Sequence, residues 1–204
     1  MINKTYYMPQ ATLLLAAISL SISVLANDSD AHNSDFVLDS ALNFYLQNID
    51  QRLQKNGITN KPKANNQAFI QQAGQHQHSE IIQQGQLQKA ISVQQGSHNI
   101  SNINQTGTSN WAYSSQSEAE FNFINIHQQG FGNQAAVIQT CGHFDCAIAR
   151  NNSAHVKQTG SMHKALVKQA GSFNEAELIQ QSHHTNAIIK QYGDGMKTKV
   201  QTGL

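Results

Sequence analysis

Small and branched apolar residues alternate with polar ones through most of this chain, and the alternation restarts on a fixed beat. Small residues recur at Ala90, Ala112, Ala135, Ala165, Ala176 and Ala187, with Ser79 and Ser101 as variants. Two positions after such residues, branched apolar side chains recur at Ile81, Ile103, Val137, Val167, Leu178 and Ile189. A further two positions on stands a glutamine: Gln72, Gln83, Gln94, Gln105, Gln116, Gln128, Gln139, Gln158, Gln169, Gln180 and Gln191. The step from one glutamine to the next is eleven in most cases. A short fixed period is the mark of stacked repeats, in which each unit buries its apolar face against the next.

With the glutamine as position 0, glycine falls at +2: Gly74, Gly85, Gly96, Gly107, Gly130, Gly160, Gly171 and Gly193. Asparagine falls at +5, at Asn99, Asn110, Asn133 and Asn174. From +5 to the next glutamine the signature residues occupy every second position, which is the period of a strand. The glycine-containing stretch from 0 to +5 reads as a tight turn. The pattern therefore predicts an all-β fold, a flattened parallel β-solenoid with about 11 residues per strand and turn and about 22 per rung. Roughly six rungs are expected, with inward Gln and Asn amides stacked about 4.8 Å apart in hydrogen-bonded ladders.

Charge tests that alternation independently. If odd positions from +5 onward point inward, ionised groups belong at +6, +8 and +10. Lys89, Lys164, Glu175 and Lys197 fall at +6, Glu80, Glu177 and Lys199 at +8, and Lys168 and Lys190 at +10. Glu118 and Glu120 fall in a turn, and Arg150 is the exception, standing where a glutamine is expected. Burying an unpaired charge costs several kcal/mol, so this parity argues for ordered stacking over disorder.

Composition alone leaves that choice open. Charged residues make up 12% of the chain, about half the usual share. Gln- and Asn-rich segments are read either as disordered or as prone to β-stacking.

The register breaks twice. One extra residue separates Gln116 from Gln128, and Asn122, Ile124 and Ile126 restore the inward pattern at once. The second break reads as a row Cys141, Phe144, Cys146, Ile148, Arg150 followed by a turn three residues short before Asn152. Cys141 and Cys146 suit a local disulfide in an exported chain, or two free small residues. With His143 and His155 they match no standard zinc spacing, and neither a metal nor another cofactor is expected. His76, His78, His183 and His184 fall mostly in turns, where solvated side chains or a pH-sensitive surface are the readings.

The ends divide the chain into three. Residues 1–26 read as a signal peptide, with Lys4, the apolar run Ala11 to Leu25 and a small-residue cleavage site before Asn27. Residues 27–65 lack the repeat: Asp28, Asp30, Asp35 and Asp39 precede apolar positions including Leu38, Leu42, Leu46, Ile49 and Leu53. Those positions suit an amphipathic helix ended by Gly57 and Pro62, a leader for targeting or docking or a cap on the solenoid. Residues 66–204 carry the repeat. Charge is uneven along it: residues 66–149 hold one basic residue against four acids, and 150–204 hold seven against three.

Rows such as Gln105-Thr-Gly-Thr-Ser-Asn110-Trp-Ala-Tyr-Ser-Ser-Gln116 and Gln128-Gln-Gly-Phe-Gly-Asn133-Gln-Ala-Ala-Val-Ile-Gln139 resemble curlin repeats, the units of bacterial curli amyloid fibres. The likeness covers nearly everything from residue 66 on, plus the signal peptide. It implies a secreted subunit, passed through an outer-membrane curli pore with accessory factors. Such a subunit forms or templates cell-surface fibres for adhesion and biofilm with other curlin subunits. The outer-membrane surface is a further partner, and no nucleic acid is required. Asn66 to Gly74 and Ser97 to Gly107, with few Gly-Gly-Gly turns and lysine-bearing strands, look more like the minor, nucleating subunit than the major one. The extra rows, the two cysteines and a sparsely basic C-terminus depart from the minor pattern.

Two other classes compete. Polysaccharide lyases on β-helices need clustered carboxylates and a basic catalytic group. Here Asp145 and Asp194 are the aspartates of the repeats, each without an acidic cluster, so no enzyme is expected. A monomeric surface adhesin or ice-binding solenoid would show a regular outward array. The outward positions instead mix Lys, Glu, Gln, Ile and His.

Overall fold

The structure, a computed structural model, describes residues 66–141 and 148–203 together with the helical positions Ser40, Phe44, Gln47 and Gln51. The expected signal peptide, most of residues 27–65, and Cys146 lie outside the described residues.

Thirteen strands follow in chain order. They are β1 (Gln67–Gln75), β2 (His78–Gln86), β3 (Lys89–Ser97), β4 (Ile100–Thr108), β5 (Trp111–Glu120), β6 (Phe123–Phe131), β7 (Gln134–Thr140), β8 (Ala149–Arg150), β9 (Ser153–Ser161), β10 (Lys164–Ala170), β11 (Glu175–His183), β12 (Asn186–Tyr192) and β13 (Lys197–Thr202). The first sheet runs β1-β3-β5-β7-β10-β12, with β8 beside β5, and the second runs β2-β4-β6-β9-β11-β13. Every pairing is parallel, and apart from β7 and β8 successive strands lie in alternate sheets, which closes a two-sheet β-solenoid of six rungs. Register is set by the repeat: Gln72 pairs with Gln94 and Gln83 with Gln105, each with its equivalent one rung on.

Strands are longer than the alternation predicts, because they continue through the glycine. Gly74, Gly85, Gly96, Gly107, Gly130 and Gly160 are the penultimate residues of their strands rather than turn residues. Their φ angles of 115–126° bend the strand end toward the opposite sheet, a conformation that glycine adopts without penalty. The turn proper is at +4, where His76, Leu87, His98, Ser109, Met162, Phe173 and His184 sit in the left-handed region. Glycine marks that position at Gly132 and Gly195, so the sequence hides it elsewhere.

Both breaks have a structural cause. The extra residue before Gln128 is a β-bulge in β5, where pairing steps from Gln94↔Gln116 to Gly96↔Ala119. The row expected over Cys141–Arg150 does not end with Arg150 in a glutamine slot, and most of its other residues lie outside the described ones. The step from Gln139 to Gln158 exceeds the repeat by eight. β7 ends at Thr140, and β8 takes the strand's place beside β5, with Ala149 on Ala119 and Arg150 on Glu120. Arg150 therefore never occupies a glutamine slot. It lies at the rim with Nε 3.2 Å from Glu120 Oε2, which removes the exception to the charge parity.

The interior is a thin double column. Ala90, Ala112, Ala135, Ala154, Ala165 and Ala176 are fully or almost fully buried, among Ile103, Ile124, Ile126, Val137, Val156, Val167 and Leu178. In the early rungs serine replaces aliphatic contact: Ser79 Oγ donates to Ser92 Oγ at 2.7 Å, and the Ser101 and Ser114 hydroxyls lie 2.6 Å apart. Both members of a pair face each other across the sheets, so each buried hydroxyl finds its partner in the other.

Candidate functional site

The residue type repeated most faithfully is also the one most thoroughly bonded. In the first sheet Nε2 of each glutamine donates to Oε1 of the next, in the order Gln72, Gln94, Gln116, Gln139, Gln169, Gln191, over distances of 2.8–3.0 Å. In the second sheet the order is Gln83, Gln105, Gln128, Gln158, Gln180, over 2.7–2.8 Å. All expected ladder glutamines belong to one of these two columns. The other amide proton crosses the core to a backbone carbonyl of the opposite sheet, as in Gln94 to His78 O at 3.0 Å and Gln128 to Trp111 O at 3.0 Å. Inside a column, both protons and the carbonyl of each amide are used.

The asparagines behave differently from the expected ladder. Asn110 Oδ1 accepts from the Asn133 backbone N–H at 3.0 Å, and Asn110 Nδ2 donates to Gly130 O at 3.1 Å. Asn99, Asn133 and Asn174 repeat the arrangement. The shorter side chain reaches the main chain of the next rung instead of its amide, so +5 is a clamp on the turn. It ties the strand-end carbonyl at +2 and the following N–H to the rung before.

Asn122 and Asn152 are two further clamps, displaced from the eleven-residue count by the bulge and by the eight added residues before Gln158. Other residues fill the slot less regularly. His163 is fully buried there. Its Nδ1 lies 2.7 Å from Thr185 Oγ1 and accepts from the Thr185 N–H at 3.3 Å, while Nε2 lies 3.1 Å from Thr159 O. An acceptor Nδ1 and a donor Nε2–H make the neutral ring an asparagine substitute. Burial holds its pKa below the ordinary histidine value, with smaller contributions from the nearby His183 and His184 charges.

The two columns run in one direction and stop at the ends of the solenoid. At the N-terminal end, Gln72 and Gln83 present Oε1 with no donor among the described residues. At the other end Gln191 Nε2 folds back on Met196 O and Thr198 Oγ1, both at 3.1 Å. The second column ends sooner, since Thr202 pairs with Gln180 in the glutamine slot and leaves Oγ1 without a partner among the described residues. The inward Ile70 of β1 is 42% exposed, whereas its equivalents in inner rungs are sealed.

Of the histidines expected in turns, His76 and His98 stack at 4.7 Å between ring centroids, and His98 stacks on Phe121 at 4.6 Å. His183 Nδ1 lies 2.6 Å from Ser161 Oγ, and His78 begins β2. Cys141 is disulfide-bonded. The chain's other cysteine is Cys146, which lies outside the described residues. The chain matches no known family model and no curated protein.

Proposed function

We propose that this chain is a secreted curlin-type subunit that templates or forms extracellular amyloid-like fibres for adhesion and biofilm, acting as the minor, nucleating subunit. The observation that supports this reading is the pair of directional amide columns running to open sheet ends. Unpaired strand edges are ordinarily protected in soluble proteins, because they recruit further strands. A following copy with the same spacing adds its β1 beside β12 and its β2 beside β13 by β-augmentation. Head-to-tail addition of this kind does not close, so it yields filaments.

The repeat register fixes which residues would meet at such a joint. Gln191 faces the next copy's Gln72, Ile188 its Phe69, and Lys199 its Glu80. Lys199 Nζ already lies 2.7 Å from Glu177 Oε2, so the joint extends an existing row of alternating charge. The two faces are unequal, with two glutamine acceptors at the N-terminal end and, at the other, Gln191 beside Thr202. A fibre subunit with glutamine in its last rung would continue both columns from the N-terminal face. This inequality favours the nucleating role over a uniform fibre unit. Among the described residues no helix is long and apolar enough to cross a membrane.

Seeding tests the reading. Purified chain at low stoichiometry is added to a major fibre subunit from the same cell, and the lag of dye-positive fibre growth is followed. Loss of lag is expected. Vigorous growth of this chain alone, without an effect on the partner, would assign it as a major subunit. A chain that stays monomeric and seeds nothing would overturn the fibre reading altogether, in favour of a monomeric adhesin.

A further inference from the structure

The outer faces of the two sheets differ in chemistry. Along the first, Ile91, Tyr113, Ala136 and Leu166 stand in cross-strand register and make an apolar outer face. Along the second, two polar columns run side by side over β2, β4, β6 and β9. One reads Glu80, Asn102, Asn125, His155, and the other Ile82, Asn104, His127, Lys157. A groove of about 460 Å³ lies over these columns, and apart from Ile82 and Ile103 its lining is polar. None of Glu80, Asn102, Asn104, Asn125, His127 and Lys157 spends its side chain on a hydrogen bond or ion pair with another described residue. Asn102 Oδ1 is moreover buried, with no partner among the described residues. A buried acceptor without a donor weakens a fold, so its persistence points to a donor from outside. Farther along the same face the charges are matched: Lys199 Nζ lies 2.7 Å from Glu177 Oε2, and Lys197 Nζ 3.0 Å from Glu175 Oε2. Glu80 and Lys157, exposed at opposite ends of the groove, are left unmatched.

We propose that this groove is a binding site for a short acidic saccharide, laid along the solenoid axis across β2, β4, β6 and β9. The polar groups dictate the chemistry of the ligand. Asn102 Oδ1 and the Glu80 carboxylate require donors, while the amide N–H groups of Asn102, Asn104 and Asn125 require acceptors. A hydroxyl is both, so a polyhydroxylated chain meets the two demands with one kind of group. The Lys157 ammonium at the far end requires an anion, which a uronate carboxylate on the same chain supplies through a charge-assisted bond. Glu80 and Lys157 stand three strand spacings apart, roughly 14 Å at about 4.8 Å each, so the ligand is an oligosaccharide rather than a single sugar.

Other classes of ligand fit less well. An apolar small molecule seeks a mostly apolar pocket, which this is not. A peptide has no free edge to join here, because β4, β6 and β9 are each paired on both sides. The groove also lacks the apolar channel, the aromatic walls and the arginine cluster by which helical, proline-rich and phosphorylated peptides are held. One lysine set against one glutamate gives no field for a nucleic-acid backbone. The site lies on the side of the solenoid and is complete in one copy, so it does not rest on end-to-end stacking. Stacking of copies at the sheet ends would leave it open.

Isothermal titration of the full chain with trigalacturonate and with maltotriose compares an acidic saccharide with a neutral one. Trigalacturonate is expected to bind, and maltotriose to bind more weakly or not at all. Lys157→Gln should lower trigalacturonate affinity about tenfold, the effect of losing one charge-assisted bond. Lys168→Gln removes the same charge from the other sheet and should leave affinity unchanged. Asn102→Val removes the orphaned oxygen and places a β-branched residue on a strand. It should unfold at no lower urea concentration than the parent and yet lose trigalacturonate binding, so the loss is not one of folding. Absence of trigalacturonate binding, equal binding of the two sugars, or unchanged binding by Asn102→Val would each overturn the proposal. An equal loss in Lys157→Gln and Lys168→Gln would also overturn it, as attraction to the basic half of the chain alone. A dimer in the unliganded chain that Asn102→Val abolishes would overturn it too, because a second copy would then be the occupant.

Discussion

Gln105 Nε2 donates to Gln128 Oε1 at 2.7 Å, with both side chains fully buried. Gln128 also donates to Gln158 and to the Trp111 carbonyl, so replacing it strands groups on three neighbouring elements. Gln128→Leu keeps the volume and removes the amide, leaving Gln105 Nε2 and Gln158 Oε1 with unmet bonds. At about 1–3 kcal/mol for each stranded buried group, the loss should be roughly 2–5 kcal/mol. Gln83→Leu, at the open end, strands the Gln105 Oε1 and the part-buried Gln67 main-chain carbonyl but no amide donor of a neighbouring glutamine, and should cost about half as much or less. Urea unfolding midpoints at constant slope measure both.

The +5 slot allows a gain. Gln77 and Gln88 occupy it around the first rung, and each donates to the glycine carbonyl above, at 2.8 and 2.9 Å. Their Oε1 atoms are nonetheless buried without a partner among the described residues. The extra methylene carries the carbonyl past the N–H that asparagine reaches. Gln88→Asn should let Oδ1 accept from the Asn110 N–H and so remove the orphan, a stabilisation of about 1 kcal/mol. A lower unfolding midpoint in Gln88→Asn would show that the slot is not a clamp.

These two slots show what the sequence makes legible. The inward glutamines and the two-sheet solenoid follow from one period and from charge parity. The asparagine clamp does not, since a short amide and a long one share a composition and differ only in reach. Counting misplaces Arg150 because the residues after Cys141 can be counted as a row or as added residues, and only the pairing of Ala149 with Ala119 decides where Arg150 falls. The apolar outer face is present in the sequence at twice the glutamine period, at Ile91, Tyr113, Ala136 and Leu166. Averaging over the single period mixes it with Glu80, Glu177 and Lys199 of the other sheet and erases it.

His163 gives the fold an acid limit. Its neutral ring is the bonded form, and burial places its folded pKa below the unfolded value near 6.5. The unfolded chain therefore binds the proton first as pH falls. Stability from this site is complete above the unfolded pKa and is lost as pH drops toward the folded one. His163→Asn restores the ordinary clamp without a titrating group. Between pH 7.5 and 5, the unfolding midpoint of the parent chain should fall more than that of His163→Asn. Equal slopes would assign the acid sensitivity to other groups.

Glycine at +2 separates folding from stacking. At Gly130, with φ 119°, an added Cβ would overlap the Gly160 carbonyl oxygen, so Ala meets both backbone strain and a main-chain clash. At Gly193, with φ 120°, it meets nothing within 4 Å, because β12 is the last strand of the first sheet. Gly193→Ala should thus cost only the backbone strain, about 1–3 kcal/mol, and leave a folded solenoid. Gly130→Ala should cost considerably more and disrupt the rungs on either side. If copies stack end to end, Gly193 acquires the neighbour it lacks, in the sense that Gly171 already has the Gly193 carbonyl against it. Gly193→Ala should then block addition at the C-terminal face while leaving seeding from the N-terminal face intact. A Gly193→Ala chain that folds, yet lengthens at both ends as fast as its parent, would rule out the joint between β12 and the next β1.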